Sequence, residues 1–195
     1  MPLTTKKYLL LLLSICACSF YCIAQTFPVE GDKPAFRDAG MSFKELNNNL
    51  NKFAGTWEYQ DGTSKLTVVL QEIADFEIGS ALSDVIVGNY IYEENGVEII
   101  NTLTNPAPSQ GSDDIYHIEM FGFRDSSEIL GFVQDPIRSK WTLYSLYLDY
   151  QPATRENPQT QLEWSTRIRE FYNPDGDVDA AQALRVPRLL TLKKI

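Results

Sequence analysis

The stretch Phe53-Ala54-Gly55-Thr56-Trp57-Glu58-Tyr59-Gln60-Asp61-Gly62 decides how the chain is read. Phe53, Gly55, Trp57 and Tyr59 alternate with Ala54, Thr56, Glu58 and Gln60, the period of two that a half-buried strand requires. Asp61-Gly62 then supplies turn residues for a hairpin, and Leu66, Val68 and Leu70 resume the alternation beyond it. Working outward, residues 85–94 and 97–104 flank Asn95-Gly96, the strongest short hairpin signal in the sequence. Residues 115–123 and 128–134 predict another pair. Asp135-Pro136 turns the chain into a strand over 141–150, and residues 161–171 return after a polar loop at 151–160. Loops are also predicted over 105–114 and, acidic in character, over 173–184, ahead of a last strand at 186–194. Eight or nine strands joined mostly by hairpins twist as they extend, and closure removes the free edges that invite aggregation. The predicted fold class is all-β: an antiparallel up-and-down barrel.

Residues 25–40, with Pro28, Gly31, Pro34 and Gly40, read as an irregular arm. Ser42 and Glu45 form a capping-box pair. Phe43, Leu46, Leu50 and Phe53 follow three/four spacing, which predicts a short helix over 43–52 despite the poor helix formers Asn47-Asn48-Asn49. No internal repeat stands out, and residues 41–195 form a single expected domain.

The first 24 residues carry an address. Lys6 and Lys7 precede an uncharged run from Tyr8 to Ala24 with Leu9 to Leu13 at its heart, and Cys22-Ile23-Ala24 precedes Gln25. A positive end, a short apolar stretch and small residues before the cut make a secretory signal peptide. The run is short for a membrane span, so cleavage before Gln25 is expected, with no span left afterwards. A lipid anchor on Cys18, in Ile15-Cys16-Ala17-Cys18, is the alternative. All three cysteines (Cys16, Cys18, Cys22) lie in this leader, so the mature chain has no disulfide framework and no thiol nucleophile. The expected location is exported, periplasmic or extracellular. With 17 Lys+Arg against 26 Asp+Glu, the formal net charge of -9 argues against nucleic acid as a partner.

Gly55-Thr56-Trp57 resembles the G-x-W opening of lipocalins and related barrels. The wider pattern resembles a lipocalin-like family of exported bacterial proteins of unknown function. It comprises Lys52 to Trp57, Gly88-Asn89-Tyr90, Asn95 to Ile99, Asp135 to Arg138, Gln161 to Trp164, Pro187, and Leu190 to Lys194. The resemblance implies that Trp57 packs at the closed end of the barrel, with Gly55 beside it and a late-strand arginine over the indole. Arg188 is the first choice for that arginine, with Arg167 or Arg138 behind it. The lipocalin T-D-Y signature is not evident.

Catalytic patterns are missing. His117 is the only histidine, and it shares a strand face with Ile115, Glu119 and Phe121. It reads as a structural histidine or as a polar cavity group paired with Glu119. No nucleophile elbow, P-loop or dinucleotide fingerprint appears. Asp175, Asp177 and Asp179 imitate a calcium loop, but Ala180 and Val186 occupy the positions that need Gly and Glu. No cofactor, metal site or enzyme activity is expected. The candidate ligand-binding residues, on strand phases read as inward, are Asn89, Asn101, His117, Glu119, Tyr147, Trp164 and Thr166. Trp141, Leu143, Ser145 and Tyr147 face one way along their strand and Tyr144, Leu146 and Leu148 the other, so that strand is buried twice or offers a face to a protein partner. Two functions follow as expectations. One is an exported barrel binding a small apolar or amphipathic ligand; the other is a cell-envelope structural or protein-interaction module with a packed, ligand-free core.

Overall fold

The computed structural model describes residues 25–29, 40–103, 116–136, 143–168 and 184–195. They form eleven strands: β1 (Gln25–Pro28), β2 (Met41–Lys44), β3 (Gly55–Asp61), β4 (Ser64–Ile78), β5 (Ala81–Glu94), β6 (Val97–Asn101), β7 (Ile118–Phe123), β8 (Glu128–Gln134), β9 (Leu143–Gln151), β10 (Gln161–Ile168) and β11 (Leu189–Lys194). Eight of them close a barrel in the order β5-β4-β3-β11-β10-β9-β8-β7, and β7 returns to β5. Every pairing around that ring is antiparallel. The hairpin signals explain why. Asn95 and Gly96 both take positive φ, 53° and 73°, matching the twist of a two-residue turn between β5 and β6. Gly62, at φ 50°, turns β3 into β4.

Three strands lie off the ring. β6 pairs with the end of β5 beyond the β7 contact, β2 runs parallel to β5 through Ser42↔Leu82 and Phe43↔Ser83, and β1 runs parallel to β2. The stretch read as an irregular arm thus contributes a strand. Phe27 stacks on Phe43 with ring centroids 5.6 Å apart, and the Val29 amide donates to the Lys44 carbonyl at 2.9 Å.

The expected helix over 43–52 does not form, and the described residues contain no helix. Glu45 prevents it. Its carboxylate accepts from the Asn47 amide at 2.7 Å and from the Leu50 amide at 2.9 Å, while Asn48 sits at φ 56°. Side-chain acceptors competing for backbone donors, in a run of asparagines, favour an irregular turn. Phe43, Leu50 and Phe53 are buried as the spacing predicted, but Leu46 is 66% exposed.

Inside the barrel each of the eight strands contributes at least one side chain with no surface open to a water molecule: Trp57, Val68, Tyr90, Ile118, Val133, Leu146, Trp164 and Leu192 are all 0% exposed. Burial of each such apolar side chain stabilises the fold by roughly 1.5–3 kcal/mol. Two glycines permit the tight curvature. A Cβ on Gly88 would lie 2.4 Å from the Val69 carbonyl oxygen, and one on Gly131 would lie 1.9 Å from that of Glu119.

Candidate functional site

The turn before β3 packs on the barrel core. Trp57 Nε1 donates to the Phe53 carbonyl at 2.8 Å, and Tyr150 meets the indole edge-on at 6.4 Å between centroids. Leu50 and Phe53 join the barrel core from the turn before β3, and Lys52 Nζ donates to the Ser126 carbonyl. The cation over the indole is Lys194, with Nζ 5.3 Å from the ring centroid. Arg188 is exposed just before β11, six residues from Lys194 and so about 20 Å away along an extended chain. Gly55 has its own reason: its φ is 130°, and a Cβ there would lie 2.9 Å from Lys194 Cε, in the path of the side chain that covers Trp57. Gly55 and Trp57 therefore act together, with Lys194 as their cation.

Register fixes which candidate residues face inward. Gly88 lies opposite Leu70 and Ile118, and Tyr90 opposite Val68, so the even positions of β5 point into the core. Asn89 and Val87 accordingly face outward, and Glu119 lies directly opposite Val87. Tyr147, between Leu130 and Ser165, is also on the outer wall, where the Arg167 guanidinium lies 4.9 Å above its ring. Asn101 lies opposite Ile91 on the same outer phase and is occupied locally: its Nδ2 donates to Glu98 and its Oδ1 accepts from the Leu103 amide. Of the seven candidates, Trp164 and Thr166 point inward. The proposed His117–Glu119 pair is not made. His117 Nδ1 instead meets Asn89 Oδ1 at 3.2 Å, the neutral ring donating through Nδ1–H.

Buried Asn89 and half-buried His117 and Glu119 nevertheless form one patch on the outer wall, along β5, β7 and the residue before β7. Beside it, Gln71 Nε2 donates to the Tyr116 hydroxyl at 3.1 Å, and Phe132 lies opposite Glu119 with its ring 5.1 Å from Phe121. A satellite apolar cluster of Val85, Val87 and Tyr116, backed by Ile73, Phe76 and Phe121, adjoins it. Burial holds the Glu119 carboxyl above its usual range and the His117 imidazole below its usual range, so both favour their neutral forms. Perturbed titratable groups in a partly enclosed, aromatic setting mark this patch as the strongest binding candidate. Alternation along β7 had already placed Phe121 on the face of His117 and Glu119. Gln71, Tyr116 and Phe132 join them only through the register of β4, the approach to β7, and β8.

Two further polar junctions are structural. Asp84, buried at the start of the barrel wall, accepts from Lys44 Nζ at 3.0 Å and from the amides of Glu45 and Asp75. Burial pushes its carboxyl upward, but these bonds outweigh that and hold it below the usual range. At the other end, Tyr90 donates to the Gln134 carbonyl at 2.8 Å, and Arg185 Nε lies 3.7 Å from the fully buried Asp135. Among the described residues one buried donor is left over: Trp164 Nε1 has no hydrogen-bond partner there.

Among the described residues, no group of three or more His, Cys, Asp or Glu could hold a metal ion, and no helix is long and apolar enough to cross a membrane. The leader expected at 1–24, Trp141, Arg138 and the acidic run at Asp175, Asp177 and Asp179 lie outside the described residues. Residues 5–129, ending at the start of β8, match the model of a family of unknown function, DUF6705. The chain belongs to that family. No curated protein and no solved structure matches this DUF6705 member.

Proposed function

We propose that this DUF6705 member is an exported, non-enzymatic module of the cell envelope, periplasmic or extracellular. In this reading it has a solid, lipocalin-like barrel and works by contact through its outer wall. One observation supports the reading: every strand of the ring buries at least one inward side chain completely, at 0% exposure. An interior of that kind favours a packed core over a ligand cup. Most of the candidate polar residues lie on the outer wall, where Asn89, His117 and Glu119 are flanked by aromatic rings. Half-buried polar groups among aromatics suit a recognition surface.

A second reading keeps the barrel as a carrier of a small apolar or amphipathic ligand. The unpartnered Trp164 Nε1 favours it, since a buried donor without an acceptor costs about 1–3 kcal/mol and a ligand oxygen would remove that cost. Native mass spectrometry and organic extraction of gently purified protein, with a titration by a fluorescent fatty acid such as cis-parinaric acid, separate the two. The packed-core reading expects no co-purifying molecule and no saturable fluorescence. A stoichiometric apolar molecule, or tight fatty-acid binding abolished by Trp164→Phe, would replace it with the carrier reading.

A further inference from the structure

We propose that the exported chain begins with pyroglutamate, formed by cyclisation of Gln25. The proposal rests on the export reading, because removal of the leader after Cys22-Ile23-Ala24 is what makes Gln25 the terminal residue. Glutamine differs from other residues at a new terminus because its own side-chain amide is within reach of its α-amine. The α-nitrogen attacks Cδ and forms the lactam N–C bond. The Cδ–Nε2 bond breaks, and ammonia leaves with the proton that the α-amine gives up. No oxidant, reductant or external reactant takes part. An α-amine titrates near ~7.7–8.0, so a substantial fraction is the free nucleophile around neutral pH.

The fold gives this position a consequence that a loose tail would not have. Gln25 is the first residue of β1 and is in register with Met41 of β2. The strand it opens is held by Phe27 on Phe43 and by the Val29 amide on the Lys44 carbonyl. β1 is also the outermost strand of the sheet path. Cleavage alone would place a charged ammonium at the head of an edge strand, whereas the lactam is a neutral amide, like the other groups of a strand ladder. It also removes the free amine that an aminopeptidase needs to begin unravelling that edge.

The test is the intact mass and N-terminal peptide of the full chain, expressed with its leader and recovered from the exported fraction. The expected result is the mass of residues 25–195 less one ammonia, with a peptide beginning pyroglutamyl-Thr-Phe that Edman degradation cannot read until pyroglutamyl aminopeptidase is added. The variant Gln25→Asn, which cannot close the same five-membered ring, should give an unblocked chain of full mass. A free Gln25 amine after prolonged incubation at neutral pH overturns the proposal and leaves export standing. A chain that retains residues 1–24, starts elsewhere, or carries lipid on Cys18 overturns the cleavage on which both depend.

Discussion

Gly131→Ala tests the curvature of the barrel wall. Gly131 is paired with Met120 on one side and Leu146 on the other. An added Cβ would lie 1.9 Å from the Glu119 carbonyl oxygen, 2.6 Å from Met120 Cα and 2.8 Å from the Glu119 carbonyl carbon. Non-bonded carbons settle at about 3.5–4.0 Å, so β7 would have to retreat by more than an ångström. All three atoms are backbone, and no side chain can swing aside to absorb the change. Overpacking costs about 1–3 kcal/mol when side chains adjust, and backbone displacement in a closed ladder puts this variant at the top of that range, about 3 kcal/mol. For a domain of this size that lowers Tm by roughly 6–12 °C. Urea titration should show the same loss as a lower midpoint at unchanged slope. Gly122→Ala is the control. Its Cβ would meet only the Leu130 side chain, at 3.1 and 3.2 Å, and should cost less than about 1 kcal/mol. Because β7 carries Glu119 and follows directly on His117, Gly131→Ala should also move the His117 ring signals in NMR. A Gly131→Ala protein melting within about a degree of the parent would refute the close approach of β7 and β8.

Asp84→Asn should cost about 1–3 kcal/mol at neutral pH, because Lys44 loses its charged partner while the Glu45 and Asp75 amides lose the stronger acceptor. The Asp84 carboxyl is held below its ordinary range in the folded protein, so its contribution is present above about 3.9 and fades as pH falls through the folded value. Parent and variant stabilities should therefore converge in acid, and a gap that stays constant down to the acid limit counts against this junction. Glu119→Gln runs the other way. Burial raises the Glu119 carboxyl, so its contribution is full below about 4.3 and is lost as pH rises through the folded value. The variant should be more stable than the parent by ~0.5 kcal/mol at neutral pH and equal to it in acid. A clear loss of stability at neutral pH would mean that Glu119 has an ionic role that burial does not explain.

Strand identity was legible where turn chemistry punctuated the alternation. The expected strand at 128–134 coincides with β8, and Asn95-Gly96 placed the β5–β6 turn. The helix over 43–52 was misread because Phe43, Leu46, Leu50 and Phe53 satisfy helical spacing, and spacing does not register a glutamate bonding to amides two and five residues ahead. The candidate site failed on phase. β5 reads Val85-Ile86-Val87-Gly88-Asn89-Tyr90, apolar on both faces, so pattern alone cannot say which set points inward. Gly88, the least conspicuous of these residues, occupies the inward position, and that places Asn89 on the outer wall together with the His117 it bonds. The cation over Trp57 was missed for a different reason: the lipocalin comparison looks for an arginine, whereas this chain uses a lysine at the other end of the last strand.

The ring is joined unevenly. β4 and β5 are matched over most of their length, but β7 meets β5 through Ile86, Val87 and Gly88, and β11 meets β3 through Lys193 and Lys194. The cylinder is therefore two ribbons, β3–β5 and β7–β11, each zipped from sequence neighbours and stitched to the other along two short hems. Each ribbon can assemble from local contacts, so the late and slow event in folding is the mating of the hems. As the shortest seams of the ring, those same hems should be where hydrogen exchange first opens the wall.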